Sequence, residues 1–253
     1  MAVLTVFSAK GGCGASLIAT NLALALARSS ATLLIDLHGQ EGTDDLLLDL
    51  RSPHAWPELL PVATELTDRH VELVASKHPE GLVMLAAPAS GNEPSLAQGS
   101  RSLLEALARR YAWVIVDAPS GTWSPVPAEL SDTVLLVTTA DPPALRCAKR
   151  LLQARPQAVH GRVGLVVNQF SRGQPASASE VAASLDTPLL AVVAVDPRGV
   201  GYQVNFGRPC ALDRQSPLGR AALALARRFT AGESRRTEAV PAAVSPSRPG
   251  RSA

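Results

Sequence analysis

Residues 3–28 read VLTVFSAKGGCGASLIATNLALALAR, a run that predicts a strand, a glycine loop and a buried helix in succession. Residues 3–7 carry only β-branched, aromatic and Leu side chains, which is typical of a buried strand. Residues 17–27 are rich in Ala and Leu on nearly every side, which indicates a helix packed on a sheet. Backbone N–H groups of a glycine loop at a helix N-terminus can face an anion. The run therefore predicts a phosphate cradle; the alternative is a turn that merely joins strand to helix.

The loop departs from the ordinary P-loop, whose pattern ends in Gly-Lys-Ser/Thr, with the Lys on the phosphates and the hydroxyl on Mg²⁺. Here Ala15 stands at the Lys position, Ser16 keeps the hydroxyl, and Lys10 is the one cation of the loop. The chain has only two other Lys residues, so a Lys in this loop is a marked feature. The predicted nucleotide-binding residues of this segment are Lys10, Gly11, Gly12, Cys13, Gly14, Ala15, Ser16 and Leu17.

The composition indicates one large domain and a short tail. The chain has 253 residues, 46% apolar and 18% charged, which suffices for an α/β domain with a full core over residues 1–230. Residues 231–253 hold Pro, Gly and scattered Arg, and we predict that they are disordered. This tail carries the whole formal charge of +2, and the neutral body does not favour DNA binding. Three distant Cys indicate a reducing cytosol without a metal cluster.

Apolar runs and helical segments alternate along the chain, which predicts an α/β fold with a doubly wound, mostly parallel sheet of about seven strands. The predicted strands are 3–7, 32–37, 82–87, 113–117, 133–138, 163–167 and 188–195. The predicted helices are 17–27, short pieces within 44–75, then 103–110, 143–155, 177–185, a turn at 198–206, and 217–229, with a loop at 89–100. No uncharged apolar run is long enough to span a membrane, so we expect a cytoplasmic protein.

Polar residues end several predicted strands, at the sheet edge where parallel α/β proteins bind ligands. Ser16, Asp36 and Asp117 offer the hard oxygen atoms that Mg²⁺ prefers, the two Asp acting mostly through water. Asn168 presents a donor and an acceptor that suit an adenine edge, and Pro197 follows the next strand. Each Asp could instead cap a helix or turn, and Asn168 could be a turn residue. The predicted ligand is ATP with Mg²⁺.

The loop resembles the deviant P-loop of the MinD/ParA family, with the pattern K-G-G-x-G-[KA]-[ST]. This resemblance implies a P-loop NTPase fold and a nucleotide-promoted homodimer, in which Lys10 contacts a phosphate across the interface. The family carries Asp-x-Asp after its second strand, with the second Asp placed to activate water. His38 stands at that second position, and we interpret it as a surface histidine in preference to a base.

Five further stretches resemble the CpaE/TadZ branch, whose members assemble Flp/Tad pili; they are residues 11–16, 44–50, 81–88, 144–151 and 205–209. The resemblance covers roughly residues 3–229. It implies an ATP-binding localisation or assembly factor that works with pilus or secretion machinery, recruited to a cell pole or to membrane-associated machinery. The chain lacks the receiver-like domain with which many CpaE-type chains begin, and related actinobacterial proteins are linked to septum siting. Division machinery is therefore the alternative partner.

The two departures bear on binding and on hydrolysis. Loss of the P-loop Lys at Ala15 removes a charge-assisted hydrogen bond worth about 1.5–3 kcal/mol, roughly a ten- to hundredfold loss of affinity. Hydrolysis needs phosphoryl-charge stabilisation and a positioned water, and Ala15 and His38 affect both, so we expect very slow or absent turnover. The alternatives are an active ParA-like partition ATPase and a scaffold that binds no nucleotide.

Overall fold

The structure is a computed structural model that describes residues 1–39, 41–88, 100–171 and 173–238, with side chains described as far as Gly232. Its centre is an eight-stranded sheet in the order β3-β4-β2-β5-β1-β6-β7-β8. All neighbouring strands are parallel except β3 and β4. The strands are β1 Ala2–Ser8, β2 Thr32–Asp36, β3 Ser76–Lys77, β4 Val83–Leu85, β5 Trp113–Asp117, β6 Thr133–Thr138, β7 Arg162–Phe170 and β8 Leu189–Ala194.

The helices are α1 Ala15–Ala27, α2 Asp44–Leu47, α3 Asp68–Val74, α4 Ser100–Ala108, α5 Pro125–Leu130, α6 Pro142–Gln153, α7 Ala178–Ser184, α8 Pro197–Phe206 and α9 Pro217–Glu238. Two 3₁₀ segments, Trp56–Glu65 and Cys210–Leu212, complete the described elements. The predicted loop at 89–100 lies, except for Ser100, outside the described residues.

Both faces of the sheet are covered, as predicted for a doubly wound fold. On one face, Leu4 and Val6 of β1 join a buried apolar cluster with α1 and α9. On the other face, one cluster packs α4 and the 3₁₀ segment Trp56–Glu65 against β2 and β5, and another packs α6 and α7 against β6 and β7. Burial on two faces explains why these strands read as continuous apolar runs.

The elements differ from the predicted ones in three places. The sheet has eight strands, which agrees with the predicted count of about seven, and the strand that was not predicted is β3, a two-residue antiparallel partner of β4 that carries no apolar signal. The helix α5 was not predicted, since its sequence PVPAEL has two Pro residues. The last helix continues past Phe229 to Glu238, so the tail predicted to be disordered is helical over 231–238, where no Pro interrupts it. Residues 239–253 lie outside the described part of the chain.

Candidate nucleotide-binding site

The glycine loop joins β1 to α1 and depends on two left-handed backbone positions. Gly12 has φ 83° and Gly14 has φ 86°, in the region that L side chains rarely adopt. Gly14 is also the residue before the first turn of α1. A Cβ atom at Gly14 would lie 2.5 Å from Nδ2 of Asn168, so both conformation and space require glycine there.

The backbone amides of residues 11–17 donate no hydrogen bond to any part of the chain that the structure describes. They lie at the carboxyl edge of the sheet, at the N-terminus of a 13-residue helix. Such amides, together with the helix dipole, favour an anion. Cys13 and Ala15 turn their side chains into the core on the α1 face of the sheet, so only their backbone groups can serve a ligand. The predicted cradle is therefore present as a geometry.

Two amide side chains of β7 hold this loop. Asn168 donates from Nδ2 to the Cys13 carbonyl at 2.8 Å, and Gln169 donates from Nε2 to the Gly12 carbonyl at 3.1 Å. The strand was predicted to end at Asn168 but continues to Phe170, with a register irregularity between Val167 and Phe170. This bulge explains how successive residues reach the same loop. Asn168 is 3% exposed and anchors the loop, while its adenine role stays a prediction.

Lys10 lies half-buried at the start of the loop, with Nζ 3.4 Å from the carbonyl oxygen of Gly11. Its ammonium has no ion-pair partner within 4.0 Å among the described residues. Its charge still reaches Asp141, whose pKa is lowered by a hydrogen bond from Thr139, by the Ala144 amide and by Lys10. Among the described residues, the Lys10 ammonium is thus held only by this carbonyl contact.

Asp36 and Asp117 come together as the sequence predicted. They end β2 and β5 at matched register positions, and both are buried. Burial raises the pKa of Asp117, as does the charge of Asp36, while His38 and the Ser16 hydroxyl act in the opposite direction. Neither carboxylate oxygen of Asp117 accepts a hydrogen bond of good geometry from the described residues. These oxygen atoms and the Ser16 hydroxyl fit Mg²⁺, held directly or through water.

His38 is not a surface histidine, and that interpretation was wrong. Its side chain is 18% exposed, and Nδ1 lies 3.0 Å from Oδ1 of Asp36 and 3.4 Å from Oδ2 of Asp117. The pKa of His38 is lowered by burial, but the hydrogen bond to Asp36 and the charges of Asp117 and Asp36 outweigh this and raise it. The imidazole therefore occupies the space between the two carboxylates.

Asp44, which begins α2, joins this cluster and was not singled out as a site residue from the sequence. It is fully buried, and its amide donates to Oδ2 of Asp36 at 3.3 Å. Neither of its carboxylate oxygens has a hydrogen-bond partner among the described residues. Burial raises the pKa of Asp44 well above its usual range, and the charges of Asp117 and Asp36 raise it further.

Pro197 is exposed as the first residue of α8. Asp196 before it is structural: it caps α8 by accepting from the Gly199 amide at 2.8 Å, and it also accepts from the Ser216 hydroxyl. The structure leaves the nucleotide role of Pro197 as a prediction.

A sequence model of the family described as "Cellulose biosynthesis protein BcsQ", which is of the MinD/ParA type, matches residues 1–183. The chain belongs to the MinD/ParA family. The septum site-determining protein MinD of Synechocystis is 28% identical over 226 residues, covering 84% of this chain and 83% of that protein. These comparisons do not single out the CpaE/TadZ branch.

Solved MinD/ParA structures share the fold. A ParA family ATPase from Chlorobium tepidum aligns with a TM-score of 0.80 at 21% identity, covering 90% of this chain and 98% of that chain. MinD of Pyrococcus horikoshii, solved as a complex with Mg-ADP, aligns with a TM-score of 0.73 at 20% identity, covering 96% and 99%.

Within this MinD/ParA fold, sequence reasoning missed Gln169 and Asp44 as parts of the site. Gln169 follows Asn168 directly, but a period of two would place them on opposite faces of a regular strand. The sequence did carry a signal for Asp44. It begins an acidic and then Leu-rich stretch, which predicts the N-terminus of a helix near the sheet edge. No described helix is long and apolar enough to cross a membrane.

Proposed function

We propose that this protein is an ATP-binding switch with very slow or absent hydrolysis, which dimerises on nucleotide and positions a partner assembly. The observation that carries the proposal is the set of unpaired amides of residues 11–17 at the N-terminus of α1. They face the same sheet edge as the carboxylates of Asp36 and Asp117. An anionic phosphate chain beside a cation site is the chemistry that this arrangement suits.

The roles follow from position. The loop amides bind phosphate oxygens, and Asn168 and Gln169 keep the loop in its binding shape by holding the Cys13 and Gly12 carbonyls. Ser16, Asp36 and Asp117 hold Mg²⁺, which would supply charge neutralisation at the phosphates. Ala15 stands at the position of the P-loop Lys, and its methyl group is buried in the core. No ammonium group at this position assists phosphate binding, so the affinity for ATP is weaker than in an ordinary P-loop.

Weak hydrolysis follows from two departures in the site. His38 stands where the family carries its water-activating Asp, and since Nδ1 of its ring faces Asp36 and Asp117, only Nε2 is left to act as a base. The loss of the P-loop Lys removes charge stabilisation of the transferring phosphoryl group as well. Turnover slow enough to leave the bound state long-lived suits a localisation factor better than a motor.

Lys10 gives the proposed dimer its switch. Its ammonium contacts only the neighbouring Gly11 carbonyl among the described residues, so it can reach a phosphate bound in a second copy. The resemblance to the CpaE/TadZ branch supports pilus or secretion machinery as the partner of the dimer. The septum-site role named for the Synechocystis relative supports division machinery as the second candidate.

The test of the switch is the mass of the purified chain by light scattering, with and without ATP and Mg²⁺. We expect ATP to convert monomer to dimer, Lys10→Ala to abolish this conversion, and Lys149→Ala, at an exposed position of α6, to leave it intact. Dimerisation of Lys10→Ala at the wild-type ATP concentration would overturn the mechanism. Deletion of the gene distinguishes the two candidate partners. Loss of surface pili supports pilus or secretion machinery, and displaced septa support division machinery.

A further inference from the structure

The candidate ligands of the cation in this site include a nitrogen atom. One ring nitrogen of His38 and one carboxylate oxygen each of Asp36 and Asp117 lie within 4.8 Å of one another. Asp36 and Asp117 are buried at strand ends, and His38, whose side chain is 18% exposed, lies two residues after β2. This donor set differs from an all-oxygen magnesium site.

The spacing of the donors matches that of ligands around one small cation. Nδ1 of His38 is 3.0 Å from Oδ1 of Asp36 and 3.4 Å from Oδ2 of Asp117. Bonds of about 2.0–2.2 Å to zinc place neighbouring ligand atoms roughly 3.0 Å apart in octahedral and roughly 3.4 Å apart in tetrahedral geometry. The distances from Nδ1 to the two carboxylate oxygens are therefore compatible with ligation of one ion.

Unpartnered buried oxygens point to the same occupant. Both carboxylate oxygens of Asp44 are buried and accept no hydrogen bond from the described residues, and both of Asp117 are buried and accept none of good geometry. Asp44 lies close enough to Asp36 and Asp117 for their charges to act on it. Three buried carboxyl groups thus lie around one imidazole, and buried polar groups in proteins are hydrogen-bonded, paired or coordinate metals.

We propose that Asp36, His38 and Asp117 form a direct binding site for a divalent transition ion of the zinc class, with the His38 imidazole as one ligand. Imidazole with carboxylate oxygens suits zinc and its first-row neighbours, whereas Mg²⁺ takes oxygen ligands and keeps its waters. This inference takes the position of the cation from the proposed function. It adds which class of cation binds there. His38 thereby changes the metal preference of the site and not only its hydrolytic step.

The experiment titrates the nucleotide-free full chain with Co²⁺, Zn²⁺ and Mg²⁺, using visible absorption for Co²⁺ and calorimetry for all three. We expect one Co²⁺ per chain with ligand-field bands, and Zn²⁺ affinity at least a hundredfold above that for Mg²⁺. His38→Ala should weaken Zn²⁺ and Co²⁺ binding at least tenfold and change Mg²⁺ binding less than twofold. His38→Asp should bring the Zn²⁺ and Mg²⁺ affinities closer together.

The matched control is His54→Ala, which removes an exposed histidine that also faces a carboxylate, Glu58, at 2.9 Å. It should leave Zn²⁺ and Co²⁺ affinities within twofold. His38→Asn can keep a hydrogen bond to Asp36 and replaces the alanine variant if metal-free melting shows that the latter is unfolded.

Equal Zn²⁺ affinity in the wild type and the His38 variant would overturn the proposal, and so would a wild type that binds no Co²⁺. If the wild type binds no Co²⁺, the protonated imidazole of His38 itself supplies the positive charge that compensates the carboxylates. ATP binding with Mg²⁺ is measured on the same preparations. Zn²⁺ and Co²⁺ binding without ATP binding would refute the proposed function and support this inference. ATP binding without Zn²⁺ or Co²⁺ binding would refute this inference and support the proposed function.

Discussion

Single residues at this site are fixed by more than one constraint, and Gly14 shows this most plainly. Its φ of 86° excludes other residues on conformational grounds, and the Asn168 amide, 2.5 Å from where a Cβ atom would lie, excludes them on spatial grounds. Gly11, three residues earlier, has an open surrounding, with Ser120 Oγ at 4.0 Å as the nearest neighbour of such an atom and no left-handed φ. The glycines of the loop are therefore not equivalent.

Gly14→Ala should lower the free energy of unfolding by about 1–3 kcal/mol, the usual range for a left-handed non-glycine residue, and should abolish nucleotide binding. Gly11→Ala should change the free energy of unfolding by no more than about 0.5 kcal/mol. Urea denaturation of the two variants and the wild type measures the difference. Equal stability of the two variants would show that the loop does not have this conformation.

His78 is a buried histidine outside the candidate nucleotide site, and its protonation should affect the stability of the fold. Its Nδ1 accepts from the Glu80 amide at 3.1 Å in the turn between β3 and β4, so this nitrogen must be unprotonated. Burial lowers the pKa of His78, against the smaller opposing effects of Glu80 and Asp49. A folded-state pKa below the unfolded value of 6.5 means that protonation favours unfolding.

Stability should therefore be complete above pH 6.5 and should fall as the pH drops below that value. His78→Asn keeps an acceptor that can bond the amide two residues on but does not titrate, so this part of the pH dependence should disappear. Thermal melting between pH 7.5 and pH 5 measures it, with His160→Asn, at an exposed residue, as the control. An unchanged slope in His78→Asn would contradict the assignment.

At the scale of elements, a buried polar network ties the P-loop helix α1 to α8. Gln203 on α8 accepts from Asn21 on α1 at 2.7 Å and from the Cys210 amide at 3.2 Å. Asn21 in turn accepts from the Ala211 amide at 2.6 Å. Satisfied networks of this kind rigidify the elements that they join. Here the network sets the position of the helix whose N-terminus forms the cradle.

Gln203→Leu should lower the free energy of unfolding by about 2–4 kcal/mol, because buried donors on Asn21 and Cys210 lose their acceptor. Asn205→Ala is the matched change on the exposed side of the same helix and should shift stability by about 0.5 kcal/mol or less. Chemical denaturation compares the two. A Gln203 variant as stable as the Asn205 variant would show that the network contributes nothing to stability.

The sequence predicted elements well where apolar residues persist and poorly where the backbone is irregular. The strands β5 and β6 match their predicted bounds, since uninterrupted apolar runs define them. The two-residue strand β3 and the bulge at Asn168 and Gln169 depend on tertiary pairing, which carries no local pattern. His38 was misassigned for the same reason: its burial comes from the adjacent strand end at Asp117, far away in sequence.

At the scale of the whole molecule, a MinD/ParA fold carries the glycine loop together with unusual residues around it. The sheet brings together residues from β1, β2, β5 and β7 at one edge, and the glycine loop, Asp36 and Asp117 lie where the sequence placed them. Ala15 stands at the position of the P-loop Lys, and His38 lies between the carboxylates. We propose that the first of these weakens nucleotide binding and that the second affects the cation and hydrolysis.

Nucleotide binding is tested most directly by equilibrium binding of a fluorescent ATP analogue to the purified chain, with and without Mg²⁺, beside the Gly14→Ala variant. We predict saturable, Mg²⁺-dependent binding to the wild type, about ten- to hundredfold weaker than that of an ordinary P-loop, and none to the variant. No binding to the wild type at high analogue concentration would show that the chain is not an ATP-binding switch, and it would then be a scaffold of this fold.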